Sequence, residues 1–196
     1  MKLRESGMPA EDYWETLLSP EAILARFQLG ATTGDVVELG CGYGTFTLPL
    51  ARRIAGSVHA FDIDGAMLER TAMRAAQAGI KNIVVTHRDV LAQGYGLPDE
   101  TCDAGLLFNI LHCESPIDLL RETARVVCPG GTLAVIHWRT DIVTPRGPSA
   151  DIRPPPDQIM EWAKAVGRLR LIDGPFELPP YHYGMTFTRL RPNAMS

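Results

Sequence analysis

"VVELGCGYGTF", residues 36–46, decides how the chain is read. An apolar run meets an acid at Glu38, and glycines follow at alternate positions, Gly40, Gly42 and Gly44. A helix-like segment, "TFTLPLARRIA", begins at once. Glycine in such a turn permits positive φ and removes a Cβ that would block a ligand. The helix start adds a favourable place for a carboxylate or phosphate. Three explanations compete: a dinucleotide phosphate, another adenosine-containing cofactor, or plain turn chemistry. The dinucleotide fingerprint is G-x-G-x-x-G, whereas Thr45 stands where its third glycine belongs. Glu38 also precedes the first glycine by two residues. A carboxylate there repels a pyrophosphate and suits a ligand with a positive ammonium group.

Outward from this stretch, strands and helices alternate. The pattern predicts strands at 35–39, 57–64, 82–90, within 102–111 and after a turn in 129–138. Helices are predicted at 45–55, 65–79 and 115–127, the last opened by Ser115 and Pro116. Gly79 supplies a C-terminal stop. This rhythm argues for an α/β fold with an open, mostly parallel Rossmann-like sheet and helices on both faces. Residues 139–157 are rich in proline and charge, and a loop that long in a compact domain is usually functional or disordered. A helix at 157–168 and an antiparallel strand pair in 169–190 complete a seven-stranded sheet. One or two helices are expected at 10–27. The chain divides into a helical lid segment (1–30), a cofactor-binding core (31–138) and a substrate-side remainder (139–196), all within one domain.

Bulk properties agree with a globular protein that buries a real core: 196 residues, 45% hydrophobic. A net charge of −4 without a basic cluster disfavours nucleic acid and acidic membrane surfaces as partners. The cysteines Cys41, Cys102, Cys113 and Cys128 show no zinc spacing. They read as free thiols of a reducing compartment, so no metal and a cytoplasmic location are expected. The start of the chain has no signal-peptide pattern, and no apolar run is long enough for a bilayer. A homo-oligomer is compatible with everything in the sequence.

With these residues in view, "VVELGCGYGTFTLPLA" resembles the first motif of the class I S-adenosylmethionine-dependent methyltransferases. "HAFDIDGAML" puts Asp62, followed by Ile63, where that family holds an acid for both ribose hydroxyls. "HRDV" puts Asp89 and Val90 at the adenine position, and "FNILH" puts Asn109 at the end of the fourth strand. "LLRETARVVCPGGTLAVI" is similar to the family's helix, proline-glycine turn and fifth strand. The resemblance covers roughly residues 30–138 and implies S-adenosylmethionine as cofactor, with Glu38 near its ammonium group. Each of these residues also has a structural reading: a tight turn for the glycines, a strand-end acid for Asp62, a turn residue for Asp89, a capping acid for Glu38.

Methyl transfer from a sulfonium draws much of its acceleration from alignment, so the family motifs leave the acceptor open. Candidate bases are His112 and His137, with structural roles as the alternative. Residues 137 and 138 lie on one strand, so His137 and Trp138 should face opposite sides. Trp14, Trp138, Arg139 and Tyr183 are candidate acceptor contacts, with core or hairpin packing the alternative for the aromatics. An aromatic pocket suits a small organic acceptor. The residues after the fourth strand, "NILHCES", lack the D/N-P-P-[YFW] segment of adenine amino-methyltransferases and the Pro-Cys of cytosine-5 enzymes. They offer only Glu114 toward a catechol-type metal site. Two rivals stay open, a non-methylating user of the same cofactor fold and a cofactor-binding module without catalysis. An NAD-dependent dehydrogenase is disfavoured by Thr45 and Glu38.

Overall fold

A computed structural model of the chain describes residues 10–191. The first nine residues of the expected lid segment and the tail 192–196 lie outside the described residues. Two short helices, α1 (Glu11–Thr16) and α2 (Pro20–Arg26), precede the sheet. Then follow β1 (Val36–Leu39), α3 (Thr47–Arg53), β2 (Val58–Asp62), α4 (Gly65–Gln77), β3 (Ile83–His87) and α5 (Val90–Gln93). The second half runs β4 (Cys102–Phe108), α6 (Pro116–Val126), β5 (Val127–Trp138), a 3₁₀ turn (Ala150–Ile152), α7 (Pro156–Val166), β6 (Leu169–Leu178) and β7 (His182–Arg189).

The seven strands are ordered β3-β2-β1-β4-β5-β7-β6. The first five are mutually parallel, whereas β7 runs antiparallel to both β5 and β6. The chain crosses from the β1–β3 half to the β4–β7 half between β1 and β4, a topological switch point where ligands sit outside the carboxyl ends of the strands. Alternation sends neighbouring side chains into two cores. Val37, Leu107, Val135 and Met185 pack with Leu119 and Leu120 of α6 and Ile159 of α7. Val36, Leu106, Ile136 and Trp138 pack with Leu24 of α2, Leu50 of α3 and Leu68 of α4. Both faces of the sheet are therefore covered, which is why its central strands read as almost unbroken apolar runs.

Two local readings differ from the sequence expectation. The segment "PGG" (129–131) is part of β5 and not a turn ahead of it: α6 stops at Val126 and the strand begins at Val127. Pairing with β4 makes this possible through an irregularity between Cys102 and Ala104, which takes up the extra backbone. The long connection 139–157 contains a 3₁₀ turn and is tied down by Arg153. That guanidinium donates to the carbonyls of Pro148, Arg139 and Arg146 and lies 5.5 Å from the Trp138 ring centroid. No described helix is long and apolar enough to cross a membrane.

Candidate active site

The glycine turn leaves β1 and is braced from two sides. Gly40, Gly42 and Gly44 all have positive φ, at 75°, 54° and 78°. A Cβ on Gly44 would lie 2.5 Å from Leu48 and 3.0 Å from Thr71, so this glycine lets α3 and α4 approach the turn. The Thr71 hydroxyl donates to the Gly42 carbonyl at 2.8 Å, and Arg74 donates to the Tyr43 carbonyl at 2.8 Å. At the end of β2, Asp62 accepts from the Gly42 N–H at 2.9 Å and from the Asp64 N–H at 3.0 Å. One carboxylate thus fixes the turn and the start of α4 together, while each oxygen retains capacity for a further donor.

Glu38 is buried on the same face as α3, where the Thr47 hydroxyl donates to its Oε2 at 2.6 Å. Burial pushes the Glu38 carboxyl up to about 7; the Thr47 bond opposes this and the Asp62 charge adds to it. Burial also raises the Cys41 thiol far above its ordinary value, which removes it as a nucleophile near neutral pH.

These residues form the wall of a cleft of about 280 Å³ that also reaches Ile63, Asn109 and His112. Asn109 adopts φ 55° at the end of β4, with its N–H donated to the Ile136 carbonyl at 2.7 Å. A left-handed non-glycine residue at a strand end is held there by its surroundings. Its side-chain oxygen is buried without a partner, as are both ring nitrogens of His112. Burial lowers His112 to about 4, so its ring is neutral near pH 7. Unpaired buried polar atoms are costly unless something completes them.

The remaining sequence candidates are placed as follows. Asp89 caps α5, accepting from the Ala92 N–H at 3.2 Å, and the Val90 side chain is turned into the core. Gly44 packs against α3 and α4 and does not line the cleft. Trp14 of α1 does line it. Trp138 lies behind Trp14, ring centroids 6.3 Å apart, buried together with His182. His137 is buried on the opposite face, 5.5 Å from the His112 ring and 6.4 Å from the Tyr183 ring. His137 and Trp138 therefore do face opposite sides. The Trp138 N–H donates to His137 Nδ1 at 3.0 Å, which places the ring proton on Nε2. Arg139 is held at the surface by Asp141 at 2.7 Å and Glu177 at 2.8 Å, and the Tyr183 hydroxyl donates to the Pro154 carbonyl at 2.6 Å. Met67, Arg88 and Phe108 also line the cleft. Nothing in their spacing marks them, since they reach it only through the ends of separate elements.

Residues 36–131 match the family model described as a methyltransferase domain. An uncharacterized methyltransferase of Mycobacterium tuberculosis is 36% identical over 129 residues, which are 65% of this chain and 61% of that protein. Over residues 36–131 the chain is thus similar to methyltransferases, as its sequence motifs imply. The match spans less than two thirds of the length of that curated relative. A crystal structure of a SAM-dependent methyltransferase from Aquifex aeolicus superposes with TM-score 0.80 at 24% identity, covering 92% of this chain and 94% of that one. The [4+2]-cyclase SpnF shares the fold at TM-score 0.73 and 18% identity, covering 95% and 84%. The fold by itself thus does not name a reaction.

For a class I methyltransferase, S-adenosylmethionine is the cofactor, and the residues present fit it. The molecule carries an ammonium, a carboxylate, a ribose diol and an adenine. The cleft offers a buried acid at Glu38, positive-φ backbone at Gly40 and Gly42, and Asp62 with spare acceptor capacity. The unpartnered Asn109 oxygen adds an acceptor for an ammonium or hydroxyl group. Among the described residues no group of three His, Cys, Asp or Glu is placed to hold a metal ion.

Proposed function

We infer that this protein transfers a methyl group from S-adenosylmethionine to a small-molecule acceptor. The observation that carries the reading is His112: a buried, unpartnered, neutral imidazole on the wall of the cofactor cleft, next to the strained Asn109. When bound, the cofactor supplies a sulfonium methyl, and displacement leaves the bond's electron pair on sulfur. Everything else falls to the chain. Glu38 and Asn109 take the ammonium, the turn at Gly40 and Gly42 gives the carboxylate room while Gly44 lets the turn pack on α3 and α4, and Asp62 with Ile63 takes the ribose. Asp89 and Val90 border the adenine.

His112 is the group that touches the acceptor. With its ring lowered to about 4 it is a weak base, so its part is to accept a hydrogen bond from the acceptor and to receive a proton only from a group that gives one up readily. His137, fully buried behind it, is a positioning residue. Of the acceptor-side candidates, Trp14 closes the cleft directly and Trp138 backs it; Arg139 and Tyr183 hold the loop and hairpin around it. α1 serves as a lid.

The test uses calorimetry and a transfer assay together. S-adenosylmethionine and S-adenosylhomocysteine should both bind and NAD should not, and labelled methyl should appear in a small-molecule fraction of a cell extract. Cofactor binding with no transfer to any fraction would leave a binding protein and end the methyltransferase reading.

A further inference from the structure

His112 has a second side. It also lines a separate cleft of about 520 Å³, so one imidazole forms a wall of both. The second cleft is built from the residues leading into α6, the 3₁₀ turn and α7. Its polar lining comes mainly from Glu114, Asp118, Asp151 and Gln158, and Trp162 supplies an aromatic wall. No lysine or arginine lines it.

The sign of its field follows from counting. Asp118 is paired with Arg121 one turn along α6. Glu114 and Asp151 are exposed and have no ion-pair partner among the described residues. Against them stands the start of α6, whose dipole is equivalent to about half a positive charge. Two unpaired carboxylates outweigh it. At the junction sits His112, 5% exposed, with neither ring nitrogen partnered, which is an independent mark of a missing ligand. An aromatic face beside acidic groups attracts an organic cation.

We propose that this second cleft is the acceptor subsite and that the acceptor is a small cationic molecule. Glu114, Asp151 and the Trp162 ring hold its positive group, and its nucleophilic atom lies beside His112. The assignment rests on the methyl-transfer reading for its catalytic meaning, but its charge selectivity is measurable without turnover.

The full chain, saturated with S-adenosylhomocysteine, is titrated with three probes of matched size: phenethylamine, 2-phenylethanol and phenylacetate. Phenethylamine should bind about tenfold more tightly than the other two, since two exposed charge contacts, each worth a few-fold, combine to roughly that ratio. Glu114→Gln and Asp151→Asn should each weaken phenethylamine several-fold, and the double variant should abolish the preference. Both positions are exposed, so the variants should fold, and unchanged affinity for S-adenosylhomocysteine verifies that. Equal binding of all three probes, a preference for phenylacetate, or a double variant that keeps the preference would overturn the proposal. Should the preference appear while no acceptor is ever methylated, the cleft assignment stands and the methyltransferase reading falls.

Discussion

At the scale of single residues, Glu38 and Asn109 make opposite trades. Glu38 is an acid whose folded value is raised from 4.5 to about 7. Its contribution to stability is present below its unfolded value and is lost as pH rises through about 7. The loss is on the order of a few kcal/mol. A ligand ammonium favours the ionised carboxylate, so S-adenosylhomocysteine affinity should increase between pH 5 and 7.5 and then level off. Glu38→Gln should flatten that profile and raise the melting temperature at pH 8; a profile unchanged by the substitution would separate Glu38 from the ammonium. Asn109 is held at φ 55° with an unpartnered oxygen. Asn109→Gly should leave stability unchanged or raise it by up to about 1 kcal/mol, while S-adenosylhomocysteine binding weakens. Lower stability with full binding would show that Asn109 serves the backbone and not the ligand. Asp62→Ala should cost both, because its carboxylate ties Gly42 and Asp64 as well as facing the cleft.

At the scale of elements, α1 is attached by charge more than by burial. None of its residues is buried, and Glu11 and Glu15 pair with Arg70 and Arg74 of α4 at 2.7–2.9 Å. Exposed pairs of this kind are worth about 1 kcal/mol or less each and are screened by salt. Trp14→Ala should therefore weaken cofactor binding several-fold with little change in unfolding temperature, and high salt should do the same in the parent. A large loss of stability in either case would make α1 part of the core. The elements themselves were largely legible. Hydrophobic period and glycine stops located the sheet strands and the long helices, because both are dictated by burial on a covered sheet. α5 and the 3₁₀ turn were not, since Val90–Gln93 and Ala150–Ile152 span a turn or less and carry no period. The start of β5 was missed for another reason: Pro129 and Gly130 are turn residues by local preference, but they lie between two positions of β5 that pair with β4, Val127 with Cys102 and Thr132 with Ala104. In the site, acids and glycines at strand ends were readable from β1 and β2. Arg88 and Met67 reach the same cleft by folding alone, and His112 as the wall shared by two clefts is a property of three-dimensional placement.

For the whole molecule, three buried histidines set the response to acid. His112 is lowered to about 4 and His182 to about 3, both by burial, and His137 is well below the ordinary value for the same reason. For depressed histidines, stability is present above about 6.5 and is lost as pH falls toward the folded values. Glu38 works against this trend, but one acid faces three imidazoles, so the protein should lose several kcal/mol between pH 6.5 and 4. His182→Phe should keep more of its stability at pH 4.5 than the parent does, read by chemical denaturation at both pH values; equal losses would locate the acid sensitivity elsewhere. The same histidines expose a dependence on chain length. β5 pairs His137 with Tyr183 and Trp138 with His182, and β7 is fed by the short turn 179–181 after Leu178. Strand periodicity is two, so adding or deleting one residue in that turn would exchange the layers. The His182 imidazole would face the α6 core and the Tyr183 phenol would meet the lid. The spacing of three turn residues thus acts as a parity bit, and it selects which ring borders which compartment.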